Sequence, residues 1–356
     1  MTNQRRLSRR MFFGGGIGVA GIASGLLALS AEPKVAHATS AITNMSDITD
    51  IASMSSKAAA TLSPFAGLPF MDPVDPLTIG FDPSHVLIAS SQGKVTKLPS
   101  GQTQREYTLN ATNKSLLVAS GQQFAGLAYN DQVPGPTLRA TQGDHIRITI
   151  NNKSDAPHGL HLTGTRLGAV DTLTQPIAPG NSMVYEFNAE PFGLYLYQGF
   201  TLPLTPNVFK GLYGMLIVDP PQPRPKALEL FMMLNGFVFG PVGQTPPGLN
   251  DLYAVNTVAY HYVRHPIPIP VNQLVRVYLV NVTQFDVLNS FHLHGNMFNI
   301  YRSGTSLKPD ESNATILLAP AQRAILEFTF TSAGQYMFHS YQGEFANLGY
   351  MGIFNV

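Results

Sequence analysis

The chain of 356 residues contains no cysteine. This absence excludes disulfide bonds and every metal site that depends on a thiolate ligand. Charged residues are scarce, at 12%, and the formal net charge is +1, so the sequence lacks the strongly basic surface that nucleic-acid binding requires. Hydrophobic residues make up 44%, which is enough for two ordinary domains stabilised by side-chain burial.

The first 38 residues have the pattern of an export leader. Residues 8–13 read SRRMFF, and an apolar, Gly-rich stretch follows to about residue 29. Ala36-His37-Ala38 then has the small-x-small form of a signal-peptidase site. We predict a twin-arginine signal peptide over 1–38, with a single membrane anchor as the alternative. The mature chain is expected to start near Thr39, in the periplasm or outside the cell, without membrane attachment.

Cleavage of this leader changes the charge of the chain. It removes five basic side chains and one acidic side chain, so the formal net charge moves from +1 to −3. A mildly acidic surface predicts no nucleic-acid partner.

Residues 39–102 are rich in Ser, Ala, Thr and Pro and show little periodicity. We therefore predict an extended N-terminal arm and not a domain. Apolar side chains within the arm, including Phe65, Phe70, Ile79 and Phe81, indicate that it lies against a neighbouring domain or subunit. The sequence leaves open whether the arm gates a functional site or braces an assembly.

From residue 103 onward, short runs with a period of two alternate with turn residues. Ile146, Ile148 and Ile150 alternate with polar residues, as expected for a strand that buries one face. The segment 219–225, DPPQPRP, cannot continue a central strand and is typical of a linker. We predict an all-β chain with a β-sandwich domain over 103–219, a Pro-rich linker over 220–227 and a second β-sandwich over 228–356.

The two halves resemble each other in sequence. Segment 144–152, DHIRITINN, parallels segment 273–281, QLVRVYLVN, and a strand that carries histidine follows each. Segment 193–197, GLYLY, parallels segment 334–338, GQYMF. A repeat of this size predicts a duplicated β-sandwich.

A metal-binding signature lies in the second half, where residues 291–295 read FHLHG. Side chains two apart in a strand point to the same face, so His292 and His294 can approach one metal ion together. The alternative is a pair of hydrogen-bonded core histidines, but two adjacent imidazoles are hard to satisfy without a metal or a carboxylate. Imidazoles suit copper and also accept zinc, whereas a blue copper site is excluded because it needs a Cys thiolate.

Four motifs occur in one order along the chain: PGPTL at 134–138, Gly143-Asp144, FHLHG at 291–295 and YMFH at 336–339. With them, residues 103–356 resemble the two-domain cupredoxins, a group that includes the small multicopper oxidases and the copper nitrite reductases. The resemblance implies two tandem cupredoxin-like Greek-key β-sandwiches and a copper cofactor. It also implies a homotrimer in which the catalytic copper lies between domain 1 of one subunit and domain 2 of another.

The second domain departs from the family pattern at its blue (type 1) copper site. Ser340 stands where the family has the copper-binding Cys, and Phe345 and Asn289 stand where it has His. The resemblance therefore implies that this site is lost.

The first domain departs in the same way. Gln198-Gly199 match the His-Cys pair of the nitrite reductases, Asn207 matches the next His, and Leu212 matches the axial Met. Only His158 remains of that site, and we interpret it as a structural or supporting residue. Both internal electron-relay coppers are predicted to be absent.

The remaining matches lie where the family holds its catalytic copper. They predict His161, His292, His294 and His339 as metal ligands. His161 matches a copper-binding His of the oxidases but an acid-base Asp of the nitrite reductases, so it is also a candidate for proton transfer. Glu344, the one carboxylate near the terminal motif, is the second candidate, with capping of a loop as its alternative.

Two functions follow from this set of residues. The first is a copper-dependent oxidoreductase that acts on dioxygen or nitrite, with electrons supplied directly by a small-molecule substrate or an external donor. The second is a non-catalytic copper or zinc binding or scaffold protein that has kept the fold and part of the ligand set.

Overall fold

The computed structural model describes residue 65 and residues 67–164, 176–201, 205–239 and 250–356. The predicted signal peptide and most of residues 39–66 lie outside the described residues, so these assignments stay predictions. No helix within the described ranges is long and apolar enough to cross a membrane.

Strands are the main secondary structure of the described residues, which confirms the all-β prediction. The five helices that the structure describes are short: α1 (Pro76–Ile79), α2 (Pro83–Val86), α3 (Thr205–Lys210), α4 (His261–Arg264) and α5 (Gly343–Asn347). The first ten strands are β1 (Ser90–Ser91), β2 (Lys94–Lys97), β3 (Thr103–Ala119), β4 (Gln122–Tyr129), β5 (Thr137–Thr141), β6 (His145–Asn152), β7 (Gly159–Leu162), β8 (Ser182–Asn188), β9 (Gly193–Phe200) and β10 (Tyr213–Asp219). The later strands are β11 (Leu228–Phe237), β12 (Leu252–Val255), β13 (Ile267–Pro268), β14 (Leu274–Asn281), β15 (Asn289–Leu293), β16 (Phe298–Arg302), β17 (Glu311–Asn313), β18 (Thr315–Leu318), β19 (Arg323–Thr329), β20 (Gln335–His339) and β21 (Met351–Asn355).

These strands form four sheets, two from each half of the chain. In the first half, one sheet has the order β1-β5-β10-β9-β7 and the other the order β2-β3-β6-β8, with β4 paired to β3. In the second half, one sheet has the order β12-β11-β14-β19-β16-β17 and the other the order β13-β21-β20-β15-β18. The break between β10 and β11 coincides with the Pro-rich segment; the domain boundaries drawn from the sequence stay predictions.

The pairing pattern repeats between the two halves. Strand β6 pairs in parallel with β3 and antiparallel with β8, as β14 does with β11 and β19. Strand β9 lies between β7 and β10, as β20 lies between β15 and β21. The repeat seen in the sequence therefore corresponds to two tandem sandwiches, and β7 is the structural counterpart of β15.

Each half has its own apolar core, and a third core joins the halves. The isoleucines of β6 are buried in the first core, as their alternation predicts. Strand β14 is buried on both faces: Val277 and Leu279 lie in the core of the second half, whereas Tyr278 and Val280 lie in the core shared with the first half. A strand between two cores is apolar on both faces, which explains the unbroken apolar run from 277 to 280.

A network of charged side chains also crosses the junction. Arg139 of β5 binds Asp219 at the end of β10 and Glu229 of β11. Arg276 of β14 binds the same Glu229 at 3.1 Å and Glu327 of β19 at 2.6 Å. Glu229 is thus shared by arginines from both halves.

The part of the predicted arm that the structure describes is not wholly extended. It contains α1 and α2, and its strands β1 and β2 add to the edges of the two first-half sheets. Ile79 is buried against Val258 of the second half, which agrees with an arm that lies against a domain. Ser84 Oγ lies 2.7 Å from Nε2 of His261, a buried residue of α4.

Candidate metal centre

Three histidines meet on one face of the sheet that contains β15 and β20. His292 is in β15 and lies opposite His339, the last residue of β20. His294 follows β15 directly and lies on the same face as His292, as the spacing of two predicts. We call His292, His294 and His339 the histidine cluster.

The imidazoles of the cluster are in contact. Ring centroids are 5.2 Å apart for His292 and His294, 5.3 Å for His292 and His339, and 4.9 Å for His294 and His339. The Nε2 atoms of His294 and His339 are 2.8 Å apart, and one nitrogen from each ring lies within 4.8 Å of the others. Among the described residues, no other group of three or more His or acidic side chains is this close.

Hydrogen bonds orient two of the three rings. His339 Nδ1 lies 2.5 Å from the carbonyl oxygen of Ser340, and because a carbonyl only accepts, Nδ1 carries the proton. His292 Nδ1 lies 2.7 Å from Thr315 Oγ1 of the neighbouring strand β18 and donates to it whenever Nε2 carries a lone pair. In both rings Nε2 is the atom left to bind an ion, and the Nδ1 partner fixes the orientation.

The surroundings favour the neutral form of two members of the cluster. Burial lowers the pKa of His292, and the nearby His339 lowers it further. Burial also lowers the pKa of His294, with smaller contributions from His339 and His292. Neutral imidazoles keep the lone pairs that a metal ligand needs.

The cluster fits a metal that prefers nitrogen ligands. Two nitrogens bound to one ion at about 2.0–2.1 Å lie roughly 2.8–3.4 Å apart, and the observed 2.8 Å falls within this range. The donor set is three imidazoles, which suits copper as well as zinc.

His161 does not belong to this group within the chain. It is in β7 and lies opposite Gln198 of β9, just as His292 lies opposite His339. His161, Thr163 and Gln198 are therefore the first-half counterparts of the histidine cluster, with one imidazole where the cluster has three. The role of His161 as a ligand or in proton transfer stays a prediction.

Glu344 lies at the first turn of α5 and is exposed. It is outside the group of side chains that can share one ion. Its predicted role in proton transfer likewise stays a prediction.

Polar residues fill the former blue copper position of the second half. Ser340 Oγ donates to Asn289 Oδ1 at 3.2 Å and to Gln342 Oε1 at 2.8 Å. Ser290 Oγ donates to the same Gln342 oxygen and accepts from the backbone N–H of Tyr341 at 2.8 Å. Asn289, Ser290 and Ser340 are fully buried. We call these three residues with Gln342 the serine network; its hydrogen bonds connect the positions where the family has a Cys and a His.

The other substituted positions are apolar or buried. Phe345 is buried and stacks on Tyr253 with ring centroids 4.0 Å apart. In the first half, Leu212 is fully buried in the core, and His158, the residue that the site retains, is buried beside β7. The side chain of Asn207 lies outside the described residues. The chain contains no cysteine, and Leu212 stands where the family has the axial Met. Among the described residues, the blue copper positions of both halves therefore offer no sulfur ligand.

Thr315 escaped prediction, and the sequence indicates Tyr341 only as a weak or supporting partner of the metal. Thr315 reaches His292 only through the pairing of β15 with β18, which no local motif signals. Tyr341 has 66% of its side chain exposed, and its ring centroid lies 4.8 Å from that of His292. Tyr341 directly follows Ser340, at a position where the oxidases have a copper-binding His, and this match is what indicates its supporting role.

Comparisons with known proteins agree with this architecture. Two profiles, each described as multicopper oxidase, match residues 110–223 and 224–356. A copper-containing nitrite reductase from Neisseria meningitidis serogroup B is 26% identical over 247 residues, which is 64% of this chain and 62% of that protein. The match thus spans less than two thirds of the length of that relative.

Solved structures show the same similarity. A multicopper oxidase crystal structure is 40% identical, with a TM-score of 0.75, over 80% of this chain and 100% of that chain. A copper-containing nitrite reductase from Thermus scotoductus shares the fold at 23% identity, with a TM-score of 0.66, over 71% of this chain and 61% of that chain.

The tandem cupredoxin-like architecture is that of a copper oxidoreductase family. The chain belongs to the multicopper oxidase family. This membership confirms the predicted fold class, and it confirms copper as the cofactor of the family.

Proposed function

We propose that this chain is an exported copper-dependent oxidoreductase that acts on dioxygen or nitrite at a type 2-like copper. The observation that carries the proposal is the convergence of His292, His294 and His339, with two Nε2 atoms 2.8 Å apart, in a member of a copper oxidoreductase family. Copper supplies one-electron redox chemistry when it is bound by these imidazoles.

The residues of the chain have separate tasks in this proposal. The three imidazoles bind the ion through neutral nitrogens and leave room for a small ligand. Thr315 and the carbonyl of Ser340 hold His292 and His339 in the orientation that directs Nε2 to the ion. Glu344, or His161 of a second subunit, moves protons to and from the small ligand.

The assembly that we propose is a homotrimer. Three imidazoles leave coordination positions unfilled, and His161 lies outside the cluster of its own chain. Strand β7, which carries His161, is the first-half counterpart of β15, which carries His292. This correspondence supports a site in which His161 of one subunit faces the cluster of another. Light scattering of the purified protein tests the trimer, and a monomer at micromolar concentration would contradict it.

Export by the twin-arginine route is part of the proposal. Its support is the leader pattern over residues 1–38. Replacing both Arg9 and Arg10 by Lys is expected to retain the protein inside the cell, which fractionation followed by immunoblotting measures.

Metal analysis and electron paramagnetic resonance of protein matured in the periplasm test the copper site. We expect one copper per cluster, a type 2 signal, and turnover of nitrite or dioxygen with an added reductant. His292→Ala, His294→Ala and His339→Ala should each weaken copper binding by at least roughly tenfold, because each removes a direct ligand. His145→Ala, in β6 of the other half, is the matched control. A wild-type protein that refuses copper overturns the proposal.

A second candidate function has support from the serine network. Its hydrogen bonds occupy the place of the internal electron relay, so a protein that binds copper or zinc without turnover is also consistent with these residues. Stoichiometric metal with no turnover of nitrite or dioxygen would favour this binding or scaffold function.

A further inference from the structure

A cavity of about 500 Å³ lies where the two halves of the chain meet. It is lined by residues of β5 and β10 from the first half, by residues of β11 and β14 from the second half, and by the Pro-rich segment that joins them. We call it the junction cavity. Its volume lies in the range of about 300–1,000 Å³ that is typical of small-molecule sites.

The junction cavity lies apart from the candidate metal centre. The histidine cluster is at β15 and β20, whereas β11 and β14 belong to the other sheet of the second half. In the first half, β10 and β9 separate β5 from β7, which carries His161. The cavity is therefore not on the strands that the proposed trimer brings together.

Basic side chains outnumber acidic ones around the junction cavity. The lining contains four basic and two acidic side chains: Arg139, Arg224, Lys226, Arg276, Asp219 and Glu229. Both acidic side chains are already paired, Asp219 with Arg139, and Glu229 with both Arg139 and Arg276. Glu327, the partner of Arg276 outside the lining, adds a third negative charge and still leaves a net charge of +1. Coulomb attraction at the cavity therefore favours an anion.

Two of the basic side chains have no carboxylate partner in the described part of the chain. Arg224 is half-buried and donates only from Nη2, to the carbonyl oxygens of Gly304 at 3.0 Å and Ser306 at 2.6 Å. The Tyr301 ring, whose centroid is 4.7 Å from the guanidinium carbon, helps to hold it in place. The N–H groups on Nε and Nη1 of Arg224 find no acceptor among the described residues. Lys226 is exposed and likewise forms no ion pair with a described residue.

The remaining lining favours a carboxylate over a phosphate. One wall contains four prolines: Pro220, Pro221, Pro223 and Pro225. Because proline has no backbone N–H, this wall cannot supply the row of N–H donors that is common in phosphate sites. The proline rings instead offer an apolar surface to a carbon skeleton. A guanidinium with two adjacent N–H groups matches the two oxygens of a carboxylate.

We propose that the junction cavity binds a small organic polycarboxylate, with Arg224 and Lys226 as its principal ligands. Arg224 donates from Nε and Nη1 to one carboxylate, and Lys226 pairs with a second. The bound anion contacts both halves and the segment between them, so it stabilises the junction. The site needs no copper, and the inference does not rest on the proposed function.

Isothermal titration calorimetry of the full copper-loaded protein tests the site. The probe is propane-1,2,3-tricarboxylate, titrated at constant ionic strength beside acetate and inorganic phosphate, and again after a chelator has removed the copper. We expect one site per chain with a dissociation constant below about 1 mM, equal with and without copper. Acetate and phosphate should each bind at least about tenfold more weakly, because neither can engage two cations across a carbon skeleton.

Substitutions in the lining locate the bound anion. Lys226→Glu replaces an attraction by a repulsion and should weaken binding of the tricarboxylate by at least about tenfold. Arg224→Gln should weaken it by about tenfold or more, and Arg224→Lys, which keeps the charge without the planar pair of donors, should lie between Arg224→Gln and the wild type. Lys153→Glu, at an exposed lysine directly after β6 and outside the lining, is the matched control and should stay within about twofold.

Thermal unfolding gives an independent readout. An anion that binds the folded junction should raise the unfolding temperature of the wild type and of Lys153→Glu, but not that of Lys226→Glu. Urea denaturation without the anion checks that each variant is folded.

Four outcomes overturn the inference. The first is no saturable binding, or equal affinity for acetate and the tricarboxylate, and the second is tighter binding of phosphate. The third is unchanged affinity in folded Lys226→Glu and Arg224→Gln, which places the anion elsewhere. The fourth is binding that is lost with the copper, which places it at the metal. Copper binding by the histidine cluster is measured separately, so either proposal can fail without the other.

Discussion

The histidine cluster can bind an ion only where each imidazole directs a nitrogen with a lone pair towards it. His339 donates its Nδ1 proton to the carbonyl of Ser340, and His292 places Nδ1 against Thr315 Oγ1. Both rings then present Nε2. A carbonyl oxygen cannot be removed by substitution, whereas the Thr315 hydroxyl can, so Thr315 is the residue at which this orientation can be tested.

Thr315→Val should weaken copper binding by roughly 10–100-fold, the usual effect of losing a partner that orients a metal-binding His. Valine keeps the shape and the strand preference of threonine but removes the hydroxyl. Copper competition with a chromogenic chelator measures the change. Thr315→Ser retains the hydroxyl and should restore most of the affinity; equal affinity for the valine variant and the wild type would contradict this role.

The serine network should contribute to stability. Ser290→Ala removes the acceptor of the Tyr341 N–H and a donor to Gln342, so we expect a loss of about 1–3 kcal/mol in the free energy of unfolding. Urea denaturation measures the loss. Ser312→Ala, at an exposed position of β17, is the control and should change the free energy by less than about 0.5 kcal/mol. Equal effects of the two substitutions would show that the network is not stabilising.

The sequence predicted part of the site for a clear physical reason. His292 and His294 are two apart in a strand, so local geometry alone places them on one face. His339 was predicted only through the family resemblance, because its approach depends on the pairing of β15 with β20. Thr315 depends on a further pairing, with β18, and no local pattern carries that information.

At the scale of single elements, the predicted packing of the arm on a domain includes a contact with α4 that the sequence did not identify. The arm was predicted as extended, but Asp82 caps α2 through the Ser84 N–H and Pro83 occupies the first turn, which is a recognised start signal for a helix. The helix brings Ser84 to His261, and the Tyr262 hydroxyl donates to the Pro83 carbonyl at 2.9 Å.

His261 should make the stability of the protein depend on pH. Burial, followed by the nearby His265 and Arg264, lowers its pKa to about 3. The unfolded chain takes up this proton near the ordinary histidine pKa, whereas the folded chain does not, so stability is lost as the pH falls from about 6.5 towards about 3. The contribution between pH 7 and pH 5 is about 2 kcal/mol.

Urea denaturation of the wild type and of His261→Gln at both pH values tests this contribution. The variant removes the titrating group, so its free energy of unfolding should fall by about 2 kcal/mol less than that of the wild type between pH 7 and pH 5. The same pH dependence in both proteins would show that His261 is not held neutral by its contacts.

At the scale of the whole molecule, the duplicated sandwich was predictable and the junction was not. Period-two patterns identified strands such as β6, and the repeat identified two domains. The parallel pairing of β3 with β6 and of β11 with β14 joins segments distant in sequence, so local patterns do not reveal it. The sharing of Glu229 between Arg139 and Arg276 likewise appears only when the two halves are packed together.

Because Glu229 pairs with both arginines, Glu229→Ala should lower the free energy of unfolding by a large amount. Arg276 has only 3% of its side chain exposed, and the loss of one partner of a buried ion pair costs about 3–5 kcal/mol. Thermal and urea denaturation measure the loss. Glu311→Ala breaks the exposed pair between Arg302 and Glu311 and should cost less than about 1 kcal/mol. If Glu229→Ala lowers the free energy of unfolding no more than Glu311→Ala does, the network does not join the two halves.

The most direct test of the account is anomalous X-ray diffraction from crystals of the copper-loaded protein, recorded on both sides of the copper absorption edge. The account predicts one copper peak for each histidine cluster, in contact with Nε2 of His292, His294 and His339, and no peak at the serine network. A copper peak among Asn289, Ser290 and Ser340, or no peak beside the three histidines, would contradict it.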